Sequence, residues 1–184
     1  MVDGRWVPAV IMEGVIRDFD VSDQSAFREL VLSGLAERWG ESFDASFNRD
    51  LDDIAGTYVA HGADVVVVEN GDQVVAGGIL RSVDGDRGRI VRMSVDRRCR
   101  RQGLGRHVVD ELLRRARGRG FREVVVSTDT PWMSAVALYR ACGSWRSTGK
   151  RLTRTSPSNY EASRRCSGVG TFERTVDGGP ADVE

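Results

Sequence analysis

An arginine-rich segment with two glycines, at residues 96–106, has the residue types best suited to chemistry. It follows a predicted strand at 89–95 and consists of a polar loop at 96–103 and the start of a run with helical spacing at Leu104. The first turn of a helix has backbone N–H groups without intrahelical partners and the positive end of the helix dipole. Gly103 and Gly105 carry no side chain, so a ligand can come close to the backbone there. The segment therefore predicts a cradle for an anion such as a diphosphate.

Positive charge is concentrated around this loop. The whole chain has 27 Lys plus Arg against 27 Asp plus Glu, but residues 97–122 contain ten Arg and only two acids, Asp110 and Glu111. The arginines that surround the predicted cradle are Arg97, Arg98, Arg100, Arg101 and Arg106. A nucleic-acid module is one alternative for the stretch, although it has no aromatic residue to stack on bases before Phe121. The other alternative is that Arg114, Arg115, Arg117 and Arg119 form the solvent-facing side of a helix.

Two common phosphate-binding motifs are excluded. The Gly-Lys-Ser/Thr ending of a P-loop is absent, and so is the third glycine of the dinucleotide-binding fingerprint. On the Gly-x-Gly pattern alone, a glycine-containing loop on a solvated basic surface is an equally good interpretation.

Two motifs together resemble the GNAT superfamily of N-acetyltransferases. The first is similar to the family signature Q/R-x-x-G-x-G/A and consists of Arg100-Arg101-Gln102-Gly103-Leu104-Gly105. The second, at residues 135–143, resembles the family segment A-x-x-L-Y-x-x-x-G. The resemblance covers roughly residues 15–143. It implies a single α/β domain with a mixed, mostly antiparallel sheet, helices on both faces and a splayed central strand pair.

The resemblance also implies acetyl-CoA as the acetyl donor. No metal is expected, because the chain has only two histidines, His61 and His107. The strand before the signature would pair with the pantetheine arm through Met93 and Val95, and a backbone N–H near Met93 or Ser94 would polarise the acetyl carbonyl. Trp132 replaces an asparagine found in many members, and Ser134 nearby offers a similar hydrogen bond to the arm. The residues implied to bind the CoA diphosphate are Arg100, Arg101, Gln102, Gly103, Leu104, Gly105 and Arg106.

Tyr139 stands at the position of the family tyrosine, which would protonate the departing CoA thiolate. The alternative for Tyr139 is a core aromatic on an amphipathic helix. A base is harder to assign: Asp129, just after a strand at 124–128, is the first candidate, and Glu69 and His61 are others. Each of the three also suits a surface or turn position, and a water relay is an alternative to all of them.

The surrounding pattern predicts the elements that position these residues. Strands are predicted at 13–18, 64–69, 73–83, 89–95 and 121–128, and helices at 22–40, with Ser22 as N-cap, at 44–61, at 104–117 and at 130–143. Residues 144–176 lack clear alternation, so the last strands, including one at 171–176, are expected to be short or poorly packed. We expect residues 1–12 to be an N-terminal extension, 13–176 the domain and 177–184 a flexible tail.

Composition limits the remaining possibilities. A length of 184 residues suits one domain, and no apolar run approaches the length that a membrane span requires. Cys99, Cys142 and Cys166 are odd in number and far apart, so neither a disulfide framework nor a zinc site is indicated, and a reducing cytoplasm is expected. Zero net charge argues against a general binder of polyanions. The expected partners are acetyl-CoA and a small amine or peptide amine, not nucleic acid or membrane, and a homodimer is left open.

The leading hypothesis is an acetyl-CoA-dependent N-acetyltransferase that acylates a primary amine by direct transfer in a ternary complex. The alternative is a non-catalytic acyl-CoA-binding or sensor domain with a degenerate C-terminus. The acceptor is not identified by the sequence.

Overall fold

The computed structural model describes residues 14–129, 132–142, 146–147 and 169–175. Its seven strands form one sheet in the order β1-β2-β3-β4-β5-β7-β6. Only β4 and β5 run parallel, and the other five neighbouring pairs of described strands are antiparallel. The strands are β1 (Val15–Asp18), β2 (Asp64–Asn70), β3 (Gln73–Asp84), β4 (Arg87–Val95), β5 (Glu123–Asp129), β6 (Arg146–Ser147) and β7 (Val169–Thr175).

The four consecutive valines of β2 are buried, as their sequence predicts for a strand covered on both faces. Because side chains alternate along a strand, Val65 and Val67 enter one core while Val66 and Val68 enter the other. The predicted hairpin to β3 is confirmed, with Asn70 paired to Gln73 around Gly71 at φ +60°.

Helices cover both faces of the sheet. On one face α1 (Gln24–Trp39) packs through Phe27 and the one-turn helix α2 (Ile54–Thr57) through Ile54, with Leu51 of the preceding turn beside them. On the other face lie α3 (Leu104–Gly118), through Val108 and Leu112, and α4 (Met133–Ala141). The α/β fold with helices on both faces is therefore confirmed. None of the helices in the described ranges has the length and apolar character needed to cross a bilayer.

Two local predictions differ from the structure because aspartate side chains cap short helical turns there. Ser22 is not the cap before α1: Asp20 accepts from the Ser22 N–H at 2.9 Å, and Asp23 accepts from the Asp20 N–H at 2.8 Å. The helix predicted over 44–61 is a chain of short turns with α2 inside it, since Asp44 and Asp53 each accept a backbone N–H and start a new turn.

The C-terminal strand is longer than expected. β7 pairs antiparallel with β5 from Glu123↔Thr175 to Asp129↔Val169, so its seven residues cover the whole outer edge of β5. β6 has two residues, in keeping with the expectation of short last strands. The predicted extension at 1–12, the predicted tail at 177–184, Gly143 and Cys166 lie outside the described residues.

Candidate active site

A gap opens between β4 and β5, the two parallel strands at the centre of the sheet. Their pairing runs from Arg87↔Glu123 to Ile90↔Val126 and stops there, although both strands continue. Residues 91–95 of β4 and 127–129 of β5 therefore lie past the last pair. Parallel strands that separate leave backbone hydrogen-bonding groups facing the opening, and these need other partners. The predicted splayed strand pair is thus confirmed.

The side chains of β4 beyond this point divide between the two faces. A Cβ placed on Gly78 would lie 2.5 Å from Met93 Sδ, and one on Gly105 would lie 3.5 Å from Val95 Cγ2, so both side chains lie on the α3 side. Ser94 points to α1, where its hydroxyl donates to the Leu30 carbonyl at 2.9 Å. Ser94 can therefore offer only backbone groups to a ligand in the gap.

The loop before α3 exposes the helix N-terminus. Arg101 and Gly103 have φ of +63° and +86°, and no described side chain caps the helix. Among the residues that the structure describes, nothing lies within 4 Å of the position that a Gly103 Cβ would take, so the backbone there is open to a ligand. Gly105 differs, because its Cβ would lie 3.3 Å from Leu138 Cδ2. Gly103 thus allows close approach, while Gly105 allows α4 to pack against α3.

Two other residues of this loop contribute in different ways. Leu104 is 2% exposed and belongs to the core, so only its backbone N–H is available. The Gln102 Oε1 atom is buried with no hydrogen-bond partner in the described part of the chain. The Gln102 Oε1 atom is an acceptor, so the partner it needs is a donor such as water and not a phosphate oxygen. The uncapped helix start and the open Gly103 backbone are the features that fit a phosphate-bearing ligand.

Several arginines of the predicted cradle are already paired with acids. Arg98 bonds Asp96 at 2.9 Å, and Arg106 lies 3.5 Å from Asp110. Arg100 binds Glu37 of α1 through both Nη atoms at 2.8 Å, and its Nε donates to the Val95 carbonyl at 3.1 Å. Arg101 is exposed and has no carboxylate partner among the described residues. The positive charge at the loop is therefore smaller than the sequence suggests.

Tyr139 lies in the core between α3 and α4, with 4% of its surface exposed. Burial raises its pKa well above the usual range for a phenol, and the nearby charge of Arg38 opposes this rise. The guanidinium carbon of Arg38 lies 4.7 Å from the ring centre of Trp132, whose ring contacts Trp39 edge-on at 5.5 Å. Trp132 thus joins the start of α4 to the end of α1, while Ser134 is exposed on the first turn of α4.

The candidate bases occupy different places. Asp129 ends β5 past the last β4–β5 pair, and its side chain lies outside the described residues. Glu69 lies on β2, two strands away from β4, and accepts from Arg17 Nε at 2.5 Å. The Nδ1 atom of His61 is 3.0 Å from the Gly56 carbonyl. Only Asp129 belongs to one of the two strands that border the gap.

Sequence reasoning missed a group of polar residues beside the gap. Arg92 of β4 binds Asp50 and Asn48, and Tyr58 donates to the same carboxylate. Arg92 and Asp50 are 42 positions apart, so no local period connects them. The signals available were an arginine between the apolar residues Val91 and Met93 of a strand and an aspartate-rich segment at 44–53.

Comparison with known proteins connects this geometry to a family. The acetyltransferase (GNAT) family model matches residues 26–144. The rat N-acetyltransferase 8F1 is 32% identical over 161 residues, which are 83% of this chain and 66% of that protein. The chain thus spans less than two thirds of the length of this curated relative.

Solved structures share the fold. An acetyltransferase of the GNAT family from Staphylococcus aureus superposes with a TM-score of 0.72 at 17% identity, covering 89% of this chain and 99% of its own. A structure from Salmonella typhimurium, described as an acetyltransferase with its cofactor acetyl-CoA, has a TM-score of 0.66 at 19% identity. The superposition covers 91% of this chain and 96% of that one. The matched family model includes the gap, the loop before α3 and all of α4. The chain therefore belongs to the GNAT family of acetyltransferases.

Proposed function

We propose that this protein transfers the acetyl group of acetyl-CoA to a primary amine by direct transfer within a ternary complex. The observation that carries the proposal is the open, uncapped start of α3 at Gly103, next to the gap between β4 and β5. A diphosphate needs several N–H donors on one curved stretch of backbone, and a thioester arm needs an opening beside it. Membership of the family and the likeness to an acetyl-CoA-bound structure support the same donor.

In this proposal the backbone N–H groups of residues 101–106 hold the diphosphate. The β4 backbone at Met93 and Val95 pairs with the pantetheine arm, and a backbone N–H at Met93 or Ser94 polarises the acetyl carbonyl. Arg100 acts by holding the loop to α1 through Glu37. Ser134, exposed on the first turn of α4, is the proposed side-chain donor to the arm.

Acetyl-CoA supplies an acetyl carbon bonded to a good leaving group. The amine nitrogen bonds to that carbon as the carbon–sulfur bond breaks, and the sulfur leaves with the electron pair. Tyr139 gives this sulfur its proton. Burial keeps its phenol protonated at neutral pH and also makes it a weaker acid than an exposed phenol. The proton lost by the amine goes to Asp129 or to water.

Two measurements test the proposal. Acetyl-CoA and CoA should each raise the melting temperature, because a ligand that binds only the folded state stabilises it by about 2.7 kcal/mol at 100 times its Kd. Release of free thiol from acetyl-CoA should then accelerate with at least one member of a panel of amines. Stabilisation without amine-dependent release of thiol would favour the acyl-CoA sensor, and absence of stabilisation would contradict the site.

A further inference from the structure

Arg92 has a backbone conformation that few residues with a side chain adopt. Its φ is +54°, in the left-handed region that glycine enters freely and arginine does not. It lies at an irregularity of β4: Ser94 pairs with Gly77 and Val91 with Ile79, so three steps along β4 face two along β3. This is a β-bulge, which turns a strand and redirects its groups.

The Arg92 side chain is fixed on the α1 side by three hydrogen bonds. Its Nε donates to Asp50 Oδ2 at 2.9 Å and its Nη2 to Asp50 Oδ1 at 2.6 Å, while Nη1 donates to Asn48 Oδ1 at 2.8 Å. The Tyr58 hydroxyl donates to Asp50 Oδ2 at 2.5 Å. We call Arg92, Asp50, Asn48 and Tyr58 the bulge clamp.

The residues of the bulge clamp satisfy one another's hydrogen-bonding groups. Both oxygens of Asp50 accept from Arg92, and the side chains of Arg92 and Asp50 are only 24% and 25% exposed. Burial and the bond to Asp50 raise the pKa of Tyr58 to about 12, so its hydroxyl remains a donor at neutral pH. A guanidinium that donates two hydrogen bonds to one carboxylate fixes the orientation of the two side chains as well as the distance between them. The cluster is therefore built to hold a backbone in place.

The backbone that it holds borders the gap. The last β4–β5 pair includes Ile90, two residues before Arg92, and Met93 and Ser94 follow at once. A residue in the left-handed backbone region turns the next peptide group away from the direction it would have in an extended strand. A strained conformation persists only where the surrounding contacts impose it. The direction of the Met93 and Ser94 N–H groups thus depends on the bulge clamp.

We propose that Arg92 is a positioning residue that sets the bulge of β4, so that a backbone N–H at Met93 or Ser94 meets the acetyl carbonyl. The inference rests on the proposed acetyl transfer. It also ties the chain before β2, which carries Asp50 and Tyr58, to the reacting end of the gap. Loss of the bulge clamp shifts the carbonyl site and leaves the diphosphate cradle at α3 unchanged.

The test compares Asp50→Asn and Arg92→Gly with Asp84→Asn. Glycine accepts the positive φ but removes the anchor, and Asp50→Asn keeps the shape but removes the charge. Asp84→Asn is the matched control, because Asp84 pairs with Arg87 at 2.5 Å at the far end of the same hairpin. We expect kcat to fall on the order of 10- to 100-fold in the two clamp variants, since small misplacements at a reacting group cost that much. The KM for acetyl-CoA and the thermal shift with CoA should stay within threefold of wild type.

The double variant Arg92→Gly with Asp50→Asn should be no slower than the slower single variant, because the two residues act as one unit. Hydrogen exchange of the peptide covering residues 91–95, without any ligand, should be faster in both clamp variants than in Asp84→Asn. If either variant does not fold, Tyr58→Phe and the exchange measurement take its place. Clamp variants that match Asp84→Asn in kcat and exchange would overturn the inference. A wild-type protein without amine-dependent thiol release would instead contradict the proposed function, while exchange still reports on the bulge clamp.

Discussion

At the scale of single residues, Tyr139 has two properties that its sequence position does not reveal together. It is a core residue, which was one alternative, and it also stands at the position of the family tyrosine on a helix beside the gap. Because burial raises its pKa, the phenol stays protonated through neutral and mildly alkaline pH. These two interpretations of Tyr139 are therefore compatible.

Tyr139→Phe should lower turnover on the order of 100-fold, because general acid catalysis typically contributes at least that much. The CoA-dependent thermal shift should be unchanged, since the ring and its packing remain. Steady-state kinetics with the best amine of the panel, together with the thermal shift, checks this. The alkaline limb of the rate profile should lie at the same pH in both proteins, because a raised pKa keeps Tyr139 protonated across that range. Equal rates for the two proteins would remove Tyr139 from the chemistry.

Residue types and local order could be predicted from sequence, but the partners of long side chains could not. Ser94 is predicted to lie on the cofactor strand, and its hydroxyl bonds the Leu30 carbonyl on α1, where Gly34 leaves room for it. Arg100 belongs to the signature, yet its guanidinium binds Glu37, 63 positions away. Such pairs depend on how helices and strands pack together, and the local hydrophobic period of the sequence does not contain that information.

At the scale of elements, α3 begins where the sequence predicts, and Gly103 and Gly105 have different roles there. A Cβ on Gly105 would meet Leu138 and Val95, whereas a Cβ on Gly103, at φ +86°, would meet none of the described residues within 4 Å. A side chain on Gly103 would therefore project toward any ligand at the start of α3.

Gly103→Glu should abolish the CoA-dependent thermal shift by placing a carboxylate where the diphosphate is proposed to bind. Gly103→Ala is the matched control, because it carries the same strain of positive φ, about 1 kcal/mol, without the charge. We expect Gly103→Ala to keep part of the shift. Thermal unfolding over a CoA titration measures both variants. A Glu variant stabilised as strongly as wild type would show that the diphosphate lies elsewhere.

Elements with a strong pattern were predicted well, and those shaped by polar capping were not. The buried run of β2, the hairpin to β3 and the helix α3 follow from apolar spacing and turn residues. The segment at 44–61 has helical apolar spacing, but Asp44 and Asp53 divide it into turns. The bulge at Arg92 could not be predicted, because the Arg92 side chain bonds Asp50 and Asn48, which lie 42 and 44 positions away in the sequence.

At the scale of the whole molecule, the arginine excess of residues 97–122 is distributed over many elements. Six of its ten arginines form ion pairs with acids in the described ranges, and several of these acids come from outside the stretch. Arg115 reaches Asp18 of β1 and Asp64 of β2, and Arg119 also binds Asp64 at 3.1 Å. These pairs fasten the C-terminal half of α3 to the edge of the sheet. Part of the charge that suggested a polyanion site therefore has a structural role.

Glu111 is the acid within α3 that organises this network. It accepts from Arg114 Nε and Nη2 at 2.7 Å and from Arg115 Nε at 2.8 Å. The bond from Arg114, followed by that from Arg115, outweighs burial and lowers its pKa from about 4.5 to about 2. A group whose pKa is lower in the folded state contributes stability above its unfolded pKa. That contribution is present at neutral pH and is lost as the pH falls from about 4.5 toward 2.

Glu111→Gln should therefore reduce the free energy of unfolding by about 1 kcal/mol at pH 7, a small value because Arg114 is largely exposed. The difference from wild type should shrink as the pH falls below 4.5, since protonated Glu111 in the wild type then resembles glutamine. Urea unfolding at several pH values between 7 and 3 measures this. Asp110→Asn is the matched control, because it removes the same charge one residue away, from a looser 3.5 Å pair with Arg106. A difference that stays constant over this range would mean that Glu111 stabilises α3 by packing and not by its charge.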